Sequence, residues 1–477
     1  MSSLARSVKA ALASGRGPAS TRSASARATE RVVTFEHDID VELLVVACSP
    51  ELRSSPRKTE SGRISTAFVW DARGAETLDA ELCVGLGAAR TIDAARGSLA
   101  ADTSTLFQGL DGEVSCLRAF GAVSFDEQDL GPFAPFGHAR FTIPRWTFFA
   151  SSSGLARVVL VAGPDEDAII AEARAIDARL EKYAALGDDA PPPRARVVDD
   201  GADVFVDVVQ QATRAIEAGA LEKVVTARKV VLHGAMFPGL VLGRLRGVAG
   251  CVRFGLLRGD AAFVGATPEV LVRVDARGIR TEAVAGSEPR RGADLAEVAR
   301  LLLRDKDRRE HALVVDAIRA GLASSGADVT AEEEPHVRTL THVHHLVTAI
   351  AATSPGANAL SLVKTLHPTP AMGGCPREAA AAFLRAHEGF PRGLYASPIG
   401  WIDARGHGAF VVGIRSALMT QAEATLYGGC GIVRGSVPKV ELAETSAKLR
   451  MMLDALGATM PATGRMRPGS FEKEADL

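Results

Sequence analysis

Short apolar runs bounded by glycine and proline recur along this chain, and they come in groups instead of alternating one by one with helices. Runs of about four to eight residues rich in β-branched and aromatic side chains are typical of strands. The clearest examples are ELLVVA, TAFVW, LARVVLVAG, RFTIPRWTFF, CVRFGLL, AAFVGAT, EVLVRV, GIRTEAV and AFVVGIRSALM. Strands in runs, with helices grouped between them, indicate an α+β fold with mostly antiparallel sheets.

Composition excludes several classes of protein. The 477 residues are 47% hydrophobic and 23% charged, which is enough apolar material for a large core. A net charge of -2 gives no sign of a nucleic-acid partner, and no apolar run is long enough to span a membrane. The six cysteines form no C-x-x-C pair, which indicates a reducing compartment. We therefore predict a cytoplasmic protein.

The chain divides into four stretches. Residues 1–30 are rich in Ser, Ala and Arg, which predicts a disordered extension, although a transit peptide has a similar composition. The segment GDDAPPPRARVVDDGA then separates an N-terminal part, 31–197, from residues 198–457. Helices are predicted over about 165–186, from 203 to a stop at Gly219, over about 294–323, and at the C-terminal end up to Gly457. Residues 458–477 are predicted to be a disordered tail.

A glycine-rich turn leads into the C-terminal helix, in the sequence GGCGIVRGSVPKVELAETSAK. Glycines let a backbone approach a ligand closely, and the amides at a helix start favour anions. Ser436 is a candidate N-cap, and Pro438 suits the first turn. Helical spacing then places three charged residues on one face: Glu441, Glu444 and Lys448. This segment predicts a site for an anion together with a cation.

Three further charged residues stand at unusual positions. Lys223 lies on the apolar face of a predicted strand, where it extends its amine to the surface, pairs with a carboxylate or acts as a desolvated general base. Glu269 closes the turn GATPE, either as a surface residue of an edge strand or as an acid that burial keeps protonated. Glu310 shares a helix face with apolar residues and needs a partner, and it offers a hard oxygen ligand for Mg²⁺.

Arginine and histidine complete the candidates. Arg415 lies in the predicted strand FVVGIRSALM among small neighbours, where it could recognise a carboxylate or form a strand-edge ion pair. The segment THVHH contains His342, His344 and His345, which suggests a zinc site only weakly because the spacing is poor for chelation. His367 lies in the loop LHPTPAMGG, a position suited to lining a site.

Nine segments occur in the order in which they are found in the chorismate-utilising enzymes. They are LEKVVTAR, GATPE, AGSEPRRG, KDRREH, HHLVT, LHPTPAMGGCP, RGLYASPIGW, VVGIRSA and GGCGIVRGSVPKVELAET. The resemblance covers about residues 200–456, and FGAVSFD and FTIPRW extend it more weakly towards the N-terminus. It implies a single α/β sandwich of two packed sheets with helices outside, the fold of aminodeoxychorismate (ADC) synthase and its relatives.

Details of the resemblance narrow the expected activity. Lys223 is similar to the lysine that activates water in isochorismate and salicylate synthases. The nucleophilic lysine of aminodeoxychorismate synthases is absent, since the chain reads Val284-Ala285-Gly286-Ser287 at that place. LHPTPA, with Ala371, and RGLYASPIGW resemble isochorismate synthases more than salicylate synthases. The resemblance therefore implies a Mg²⁺-dependent conversion of chorismate to isochorismate, by addition of water at C2 and loss of the 4-hydroxyl.

The same resemblance assigns roles to individual residues. Lys223 would deprotonate the attacking water, and Glu269 would protonate the leaving hydroxyl. Glu310 and Glu444 would bind Mg²⁺, with Glu441 as a further ligand or a residue directly behind the ligands. Substrate contacts are implied at eight positions: Gly286, Ser287, His367, Ala371, Arg415, Gly429, Gly431 and Lys448.

Two alternatives stay open at this point: a salicylate synthase, which would also eliminate pyruvate, and a non-catalytic chorismate-binding protein. The expected partner is the small molecule chorismate, without nucleic acid, membrane or a glutamine amidotransferase subunit. A monomer is expected. Both menaquinone and siderophore biosynthesis are compatible with the sequence.

Overall fold

Two large antiparallel sheets form the framework of the molecule. The computed structural model describes residues 3–14, 30–48, 65–95, 98–127, 129–185, 195–290 and 295–460. Its strands, in chain order, are β1 (Arg31–His37), β2 (Thr66–Asp71), β3 (Leu82–Leu86), β4 (Arg90–Asp93), β5 (Ala119–Val123), β6 (Ala139–Ile143), β7 (Trp146–Phe149), β8 (Ala156–Ala162), β9 (Arg196–Asp199), β10 (Lys223–His233), β11 (Val252–Arg258), β12 (Ala261–Thr267), β13 (Val270–Asp275), β14 (Gly278–Pro289), β15 (Asp328–Ala331), β16 (His336–Thr339), β17 (Val343–Thr353), β18 (Gly374–Cys375), β19 (Pro398–Ile402), β20 (Gly408–Val412), β21 (Ser416–Met419) and β22 (Glu423–Ile432).

The two sheets draw strands from both halves of the chain. Sheet 1 has 12 strands in the order β1-β8-β7-β3-β2-β11-β12-β21-β22-β10-β18, with β9 paired to β10. Sheet 2 has 10 strands in the order β15-β17-β14-β13-β20-β19-β5-β6-β4, with β16 paired to β17. Because strands from the N-terminal part pair with strands from the C-terminal part in both sheets, β2 with β11 and β5 with β19, the two parts form one sandwich. The predicted α+β class is confirmed.

Helices flank the sheets. In chain order they are α1 (Leu4–Ser14), α2 (Val41–Ala47), α3 (Leu99–Ser104), α4 (Glu166–Ala184), α5 (Ala202–Glu217), α6 (Pro238–Arg244), α7 (Leu295–Leu302), α8 (Asp305–Ser324), α9 (Ala359–Leu366), α10 (Arg377–His387) and α11 (Pro438–Ala455). Helix α4 shows why they form: the Asp165 side chain accepts a hydrogen bond from the Ala168 amide, and one face carries buried apolar residues at helical spacing. No helix of the described ranges is long and apolar enough to cross a membrane.

The main core lies between the sheets. Phe68 of β2, in sheet 1, stacks on Phe120 of β5, in sheet 2, with ring centroids 5.6 Å apart. A second apolar cluster covers the other face of sheet 1, where α1, α2 and α4 pack; it includes Leu4, Val45 and Ile176. Burial on both faces explains why the central strands read as continuous apolar runs instead of alternating patterns.

Two predictions near the N-terminus are wrong. Residues 4–14, expected to be disordered, form α1, because Leu4, Val8 and Leu12 share one helix face and are buried. Residues 15–29 lie outside the described residues, as do residues 461–477 of the predicted tail. The run ELLVVA, expected to be a strand, lies in α2, because the Asp40 side chain caps a helix by accepting from the amides of Glu42 and Leu43.

Three boundaries also differ from prediction. The helix expected over 294–323 is two helices, because Arg304 adopts an extended conformation between α7 and α8. Ser436 is not the N-cap of α11; Val437 is, and the Ser436 hydroxyl accepts from the Val433 amide instead. The segment FVVGIRSALM is not one strand, since β20 belongs to sheet 2 and β21 to sheet 1. Arg415 lies in the crossing between the sheets.

Candidate active site

A cavity of about 320 Å³ gathers most of the candidate residues. Its walls come from β10 and β22 of sheet 1, from β14 and β17 of sheet 2, and from α8 and α11. Twelve of the thirteen predicted site residues line it: Lys223, Glu269, Gly286, Ser287, Glu310, Ala371, Arg415, Gly429, Gly431, Glu441, Glu444 and Lys448. Residues that are distant in sequence therefore face one another across a single cavity.

Lys223 is the first residue of β10, and its side chain is buried against the cavity. The residue is 0% exposed, and its Nζ lies 2.9 Å from Oε1 of Glu310 on α8. Strand alternation puts Lys223 on the same face as Val225, so the amine can reach a partner only across the cavity. The predicted pairing of Lys223 with a carboxylate is thus observed, and the role of Lys223 as a general base stays a prediction.

The close approach of β22 to this ion pair depends on Gly431. A Cβ atom at Gly431 would overlap with Oε1 of Glu310 and would lie 3.0 Å from Cε of Lys223. A side chain at this position would therefore push apart the two groups that face the cavity from β10 and α8.

We expect Gly431→Ala to lower the free energy of unfolding by about 1–3 kcal/mol, because the added Cβ must displace the Glu310 carboxylate from the buried Lys223 amine. Urea unfolding of the purified chain measures this change. Gly163→Ala is the matched control, because a Cβ there meets only the Arg145 guanidinium at 3.6 Å. Equal losses in the two variants would show that Gly431 is not needed for close approach.

Glu269 lies in the turn between β12 and β13 and is 5% exposed, so it is not a surface residue of an edge strand. Burial and, after it, the nearby Glu282 carboxylate raise the pKa of its carboxyl to about 8, against the opposing charges of Lys223, Lys448 and Arg415. The carboxyl is therefore protonated at neutral pH. It is a proton donor facing the cavity.

Arg415 occupies the crossing between β20 and β21 in a left-handed conformation, with φ of 51°. Non-glycine residues rarely adopt this conformation, and when they do it is often at functional sites. The Arg415 carbonyl accepts from the Ala266 amide, which fixes the turn on sheet 1. Burial lowers the pKa of the guanidinium, but the group stays in the range where it is charged at neutral pH.

His345 also lines the cavity, although its place in THVHH indicated only a weak metal ligand. Burial, followed by the charge of Arg415, lowers the pKa of His345 well below its usual value, so the ring is neutral. Its Nε2 lies 3.3 Å from Nη2 of Arg415 and accepts from it, which leaves the Nδ1 proton to face Ser287 Oγ at 3.0 Å. His345 thus joins two predicted substrate-binding residues.

Gly286 sets the position of Ser287. The register of β14 against β17 shifts between Ala285 and Ser287, and Gly286 in that bulge has φ of 80°. A bulge with a left-handed residue favours glycine and re-aims the next side chain. It turns Ser287 towards His345 and the cavity.

The three histidines of THVHH do not converge. His344 Nδ1 lies 3.0 Å from Thr339 Oγ1, and His342 Nε2 lies 3.7 Å from a carboxylate oxygen of Asp454. Across the described residues, no three His, Cys, Asp or Glu side chains form a group that could hold a metal ion. These positions do not support the zinc interpretation.

Helix α11 supplies the charged wall predicted for it. Lys448 Nζ lies 2.7 Å from Oε1 of Glu444 and donates to the Gly429 carbonyl at 3.0 Å. Glu441 is 2% exposed and lines the same cavity. The helix and β22 are thereby joined at the glycine-rich strand end.

The charges that line the cavity are nearly balanced. Apart from the protonated Glu269 there are five carboxylates, Glu288, Asp307, Glu310, Glu441 and Glu444, and five cationic side chains, Lys223, Arg304, Arg392, Arg415 and Lys448. Glu310, Glu441 and Glu444 offer the hard oxygen atoms that Mg²⁺ prefers, and Mg²⁺ commonly needs only one or two carboxylates. These residues could hold a divalent cation together with a ligand oxygen and water.

His367 is the one predicted site residue that the structure places outside the cavity. It is 1% exposed, its Nε2 lies 3.3 Å from the Phe125 carbonyl, and its ring packs edge-on against the Phe125 ring. Tyr395 and Tyr427, by contrast, line the cavity without having been singled out. Neither tyrosine carries a local sequence signal, because each comes to the cavity through its place in the fold.

Comparison with known proteins agrees with this geometry. Residues 75–457 match the family described as chorismate binding enzyme. The salicylate biosynthesis isochorismate synthase of Pseudomonas aeruginosa is 43% identical over 257 residues, 52% of this chain and 54% of that protein. The match thus spans about half the length of that relative. Isochorismate synthase MenF of Bacillus subtilis is 33% identical over 352 residues, 71% of this chain and 74% of its own length.

A solved structure is similar over nearly the whole chain. The menaquinone-specific isochorismate synthase MenF from Escherichia coli superposes with a TM-score of 0.70 at 26% identity, covering 94% of this chain and 99% of the other. The two-sheet sandwich described above is therefore shared with a solved structure.

Proposed function

This chain belongs to the chorismate-binding enzyme family, and from that premise we propose that it is an isochorismate synthase. The observation that carries the proposal is the pair of groups facing one cavity: the amine of Lys223 and the carboxyl of Glu269, protonated at neutral pH. A base and an acid on one cavity are what an exchange of hydroxyl groups on a ring requires. The relatives named above as isochorismate synthases support the same activity.

The proposed reaction adds a hydroxyl at C2 of chorismate and removes the hydroxyl at C4. Lys223 takes a proton from water as its oxygen bonds to C2, the ring double bonds shift, and the C4–O bond breaks. Glu269 gives its proton to the departing oxygen, so one water enters and one leaves. Acid and base groups in position each contribute about 10²- to 10⁴-fold to such a rate. Each turnover leaves Lys223 protonated and Glu269 ionised. One proton must therefore pass from the amine to the carboxyl, by way of solvent, before the next turnover, since Lys223 acts as a base only in its neutral form.

Anionic groups of the substrate are proposed to bind at Arg415, Lys448 and the amides of β22. Arg415 presents a planar guanidinium that suits a carboxylate, and its contact with His345 fixes its orientation. Lys448 is already oriented by its bond to the Gly429 carbonyl. These groups hold the ring between Lys223 and Glu269, which is the positioning part of catalysis.

We propose Mg²⁺ as the cofactor, held by Glu310 and Glu444. Glu441 is proposed to lie directly behind these ligands, because no three carboxylates of the described residues converge as a metal-binding group. Two features of the cavity fit Mg²⁺: the charges that line it and the carboxylate oxygen atoms that it offers. Because the charges lining the cavity are nearly balanced, a substrate with two carboxylates adds two negative charges that a divalent cation neutralises. When bound, Mg²⁺ would polarise and orient a substrate carboxylate.

The test is to incubate the purified full chain with chorismate and Mg²⁺ and to resolve the products by chromatography. We expect isochorismate as the main product, and we expect EDTA to abolish its formation and added Mg²⁺ to restore it. Salicylate with pyruvate as the main products would overturn the proposal in favour of a salicylate synthase. Binding of chorismate without turnover would indicate a non-catalytic chorismate-binding protein, and full activity in EDTA would exclude the proposed metal.

Some finer expectations stay predictions. They are a cytoplasmic monomer, the absence of a glutamine amidotransferase subunit, and a role in menaquinone or siderophore biosynthesis. The substrate is proposed to be chorismate alone.

A further inference from the structure

A buried ion pair lies directly behind the turn that carries Glu269. Arg338 of β16 and Glu282 of β14 form two parallel bonds, Nη1 to Oε1 at 2.8 Å and Nη2 to Oε2 at 2.9 Å. Their side chains are 10% and 2% exposed. Neither residue lines the cavity, and the mechanism proposed above uses neither.

The pair contacts the backbone on both sides of Glu269. Arg338 Nη1 donates to the Pro268 carbonyl at 3.3 Å, and the Val270 amide donates to Glu282 Oε1 at 3.3 Å. Thr77, from the N-terminal half of the chain, donates to Glu282 Oε2 at 2.7 Å. The residues before and after Glu269 are thus both tied to one rigid, bidentate pair.

We propose, on the basis of the function proposed above, that Arg338 and Glu282 are positioning residues for Glu269. They fix the backbone of its turn, and they place the negative charge of Glu282 where it disfavours ionisation of the Glu269 carboxyl. The arrangement keeps the Glu269 carboxyl protonated, and Arg338 compensates the charge of Glu282.

The charges around Glu269 fall into two groups. Lys223 of β10, Lys448 of α11 and Arg415 of the β20–β21 crossing favour the ionised carboxylate. Glu282 is the charged residue that opposes them, and it adds to the effect of burial. Removing the charge of Glu282 would leave Arg338 as a further cation behind the turn, whereas removing Arg338 would leave Glu282 uncompensated. The two changes should therefore act on Glu269 in opposite directions.

The experiment measures the pH dependence of kcat/KM for isochorismate formation, whose alkaline limb reports the acid of the free enzyme. We expect Glu282→Gln to move that limb to lower pH by about 1 pH unit, because a neighbouring like charge has been removed. Arg338→Gln should move it to higher pH. The double variant, which retains a neutral pair, should return close to the wild-type limb.

A second buried pair serves as the control. Arg253 Nη2 lies 2.7 Å from Asp71 Oδ2, with side chains 3% and 6% exposed, and neither residue lines the cavity. Asp71→Asn should reduce the urea midpoint without moving the alkaline limb. The proposal is overturned if the alkaline limb of kcat/KM does not move in Glu282→Gln. It is also overturned if the limb moves in the same direction in Glu282→Gln and Arg338→Gln.

Two further results distinguish a wrong positioning role from a variant that does not fold and from a wrong proposed function. If a single variant does not fold, the double variant decides, since replacing both partners of a buried pair is far less disruptive than removing one. In the double variant, the alkaline limb of kcat/KM should stay near its wild-type position. Its kcat should fall about tenfold, because the turn that carries Glu269 has lost its contacts with the charged pair. An unchanged kcat would overturn the positioning role. If the wild-type chain forms no isochorismate, it is the proposed function that fails.

Discussion

Lys223→Ala is expected to lower kcat for isochorismate formation by about 10²- to 10⁴-fold while chorismate still binds. The amine is the basic group placed at the start of β10, buried and facing the cavity, and alanine cannot take a proton from water. Arg415 and Lys448 remain to hold the anionic groups of the substrate. Initial rates measured by chromatography, together with calorimetric titration of chorismate in the presence of Mg²⁺, test both parts.

Lys229→Ala is the matched control for this variant. Lys229 lies on the same strand but is half-buried outside the cavity, so its loss should leave kcat within about twofold of the wild-type value. A wild-type rate in Lys223→Ala would show that another group activates the water. Loss of chorismate binding in Lys223→Ala would instead make Lys223 a substrate-binding residue.

Glu269→Gln should reduce kcat by a similar factor, about 10²- to 10⁴-fold, because the amide keeps the shape of the side chain but cannot deliver the proton. The same variant should change the dependence of stability on pH. In the unfolded chain the carboxyl ionises near its ordinary value of 4.5, whereas in the folded protein it ionises near 8. Between these values the unfolded state releases a proton that the folded state retains.

The sign of the stability change follows from that difference. Below about pH 4.5 the Glu269 carboxyl is protonated in both the folded and the unfolded state, and its contribution to the free energy of unfolding is fully present. As pH rises towards about 8, the wild-type protein loses stability relative to Glu269→Gln, by about 1.4 kcal/mol per pH unit. Urea unfolding at pH 5 and pH 7.5 should show the advantage of the glutamine variant growing by about 3 kcal/mol. Parallel stability curves would mean that Glu269 ionises normally in the folded protein.

Local patterns in the chain were sufficient for much of the candidate site. Helical spacing placed Glu441, Glu444 and Lys448 on one face of α11, and strand alternation put Lys223 on an inward face. These predictions depend on neighbours within one element, where backbone geometry alone determines which side chains share a face. The N-terminal helix was missed because its Ser-, Ala- and Arg-rich composition hides an apolar face formed by only four residues, Leu4, Ala5, Val8 and Leu12.

Other features depend on contacts between segments far apart in the chain. The apolar run around Arg415 reads as one strand, but it changes sheets, and only the packing of the two sheets shows where it must turn. His345 resembles a weak metal ligand in sequence, yet it contacts Ser287 and Arg415, 58 and 70 residues away. Periodicity carries no information about such pairings.

Residue order and spacing alone define which chemical groups this protein can use: a lysine at a strand start, a glutamate just before a strand, a glycine-rich segment, and a helix with acidic and basic residues on one face. Packing of the two sheets then sets how these groups act on one another. It buries Glu269 so that its carboxyl retains a proton, brings Glu310 to 2.9 Å from Lys223, and sets the Arg338–Glu282 pair behind the acid. Burial and charge–charge distance, which set protonation, are properties of the packed sheets and not of any one segment.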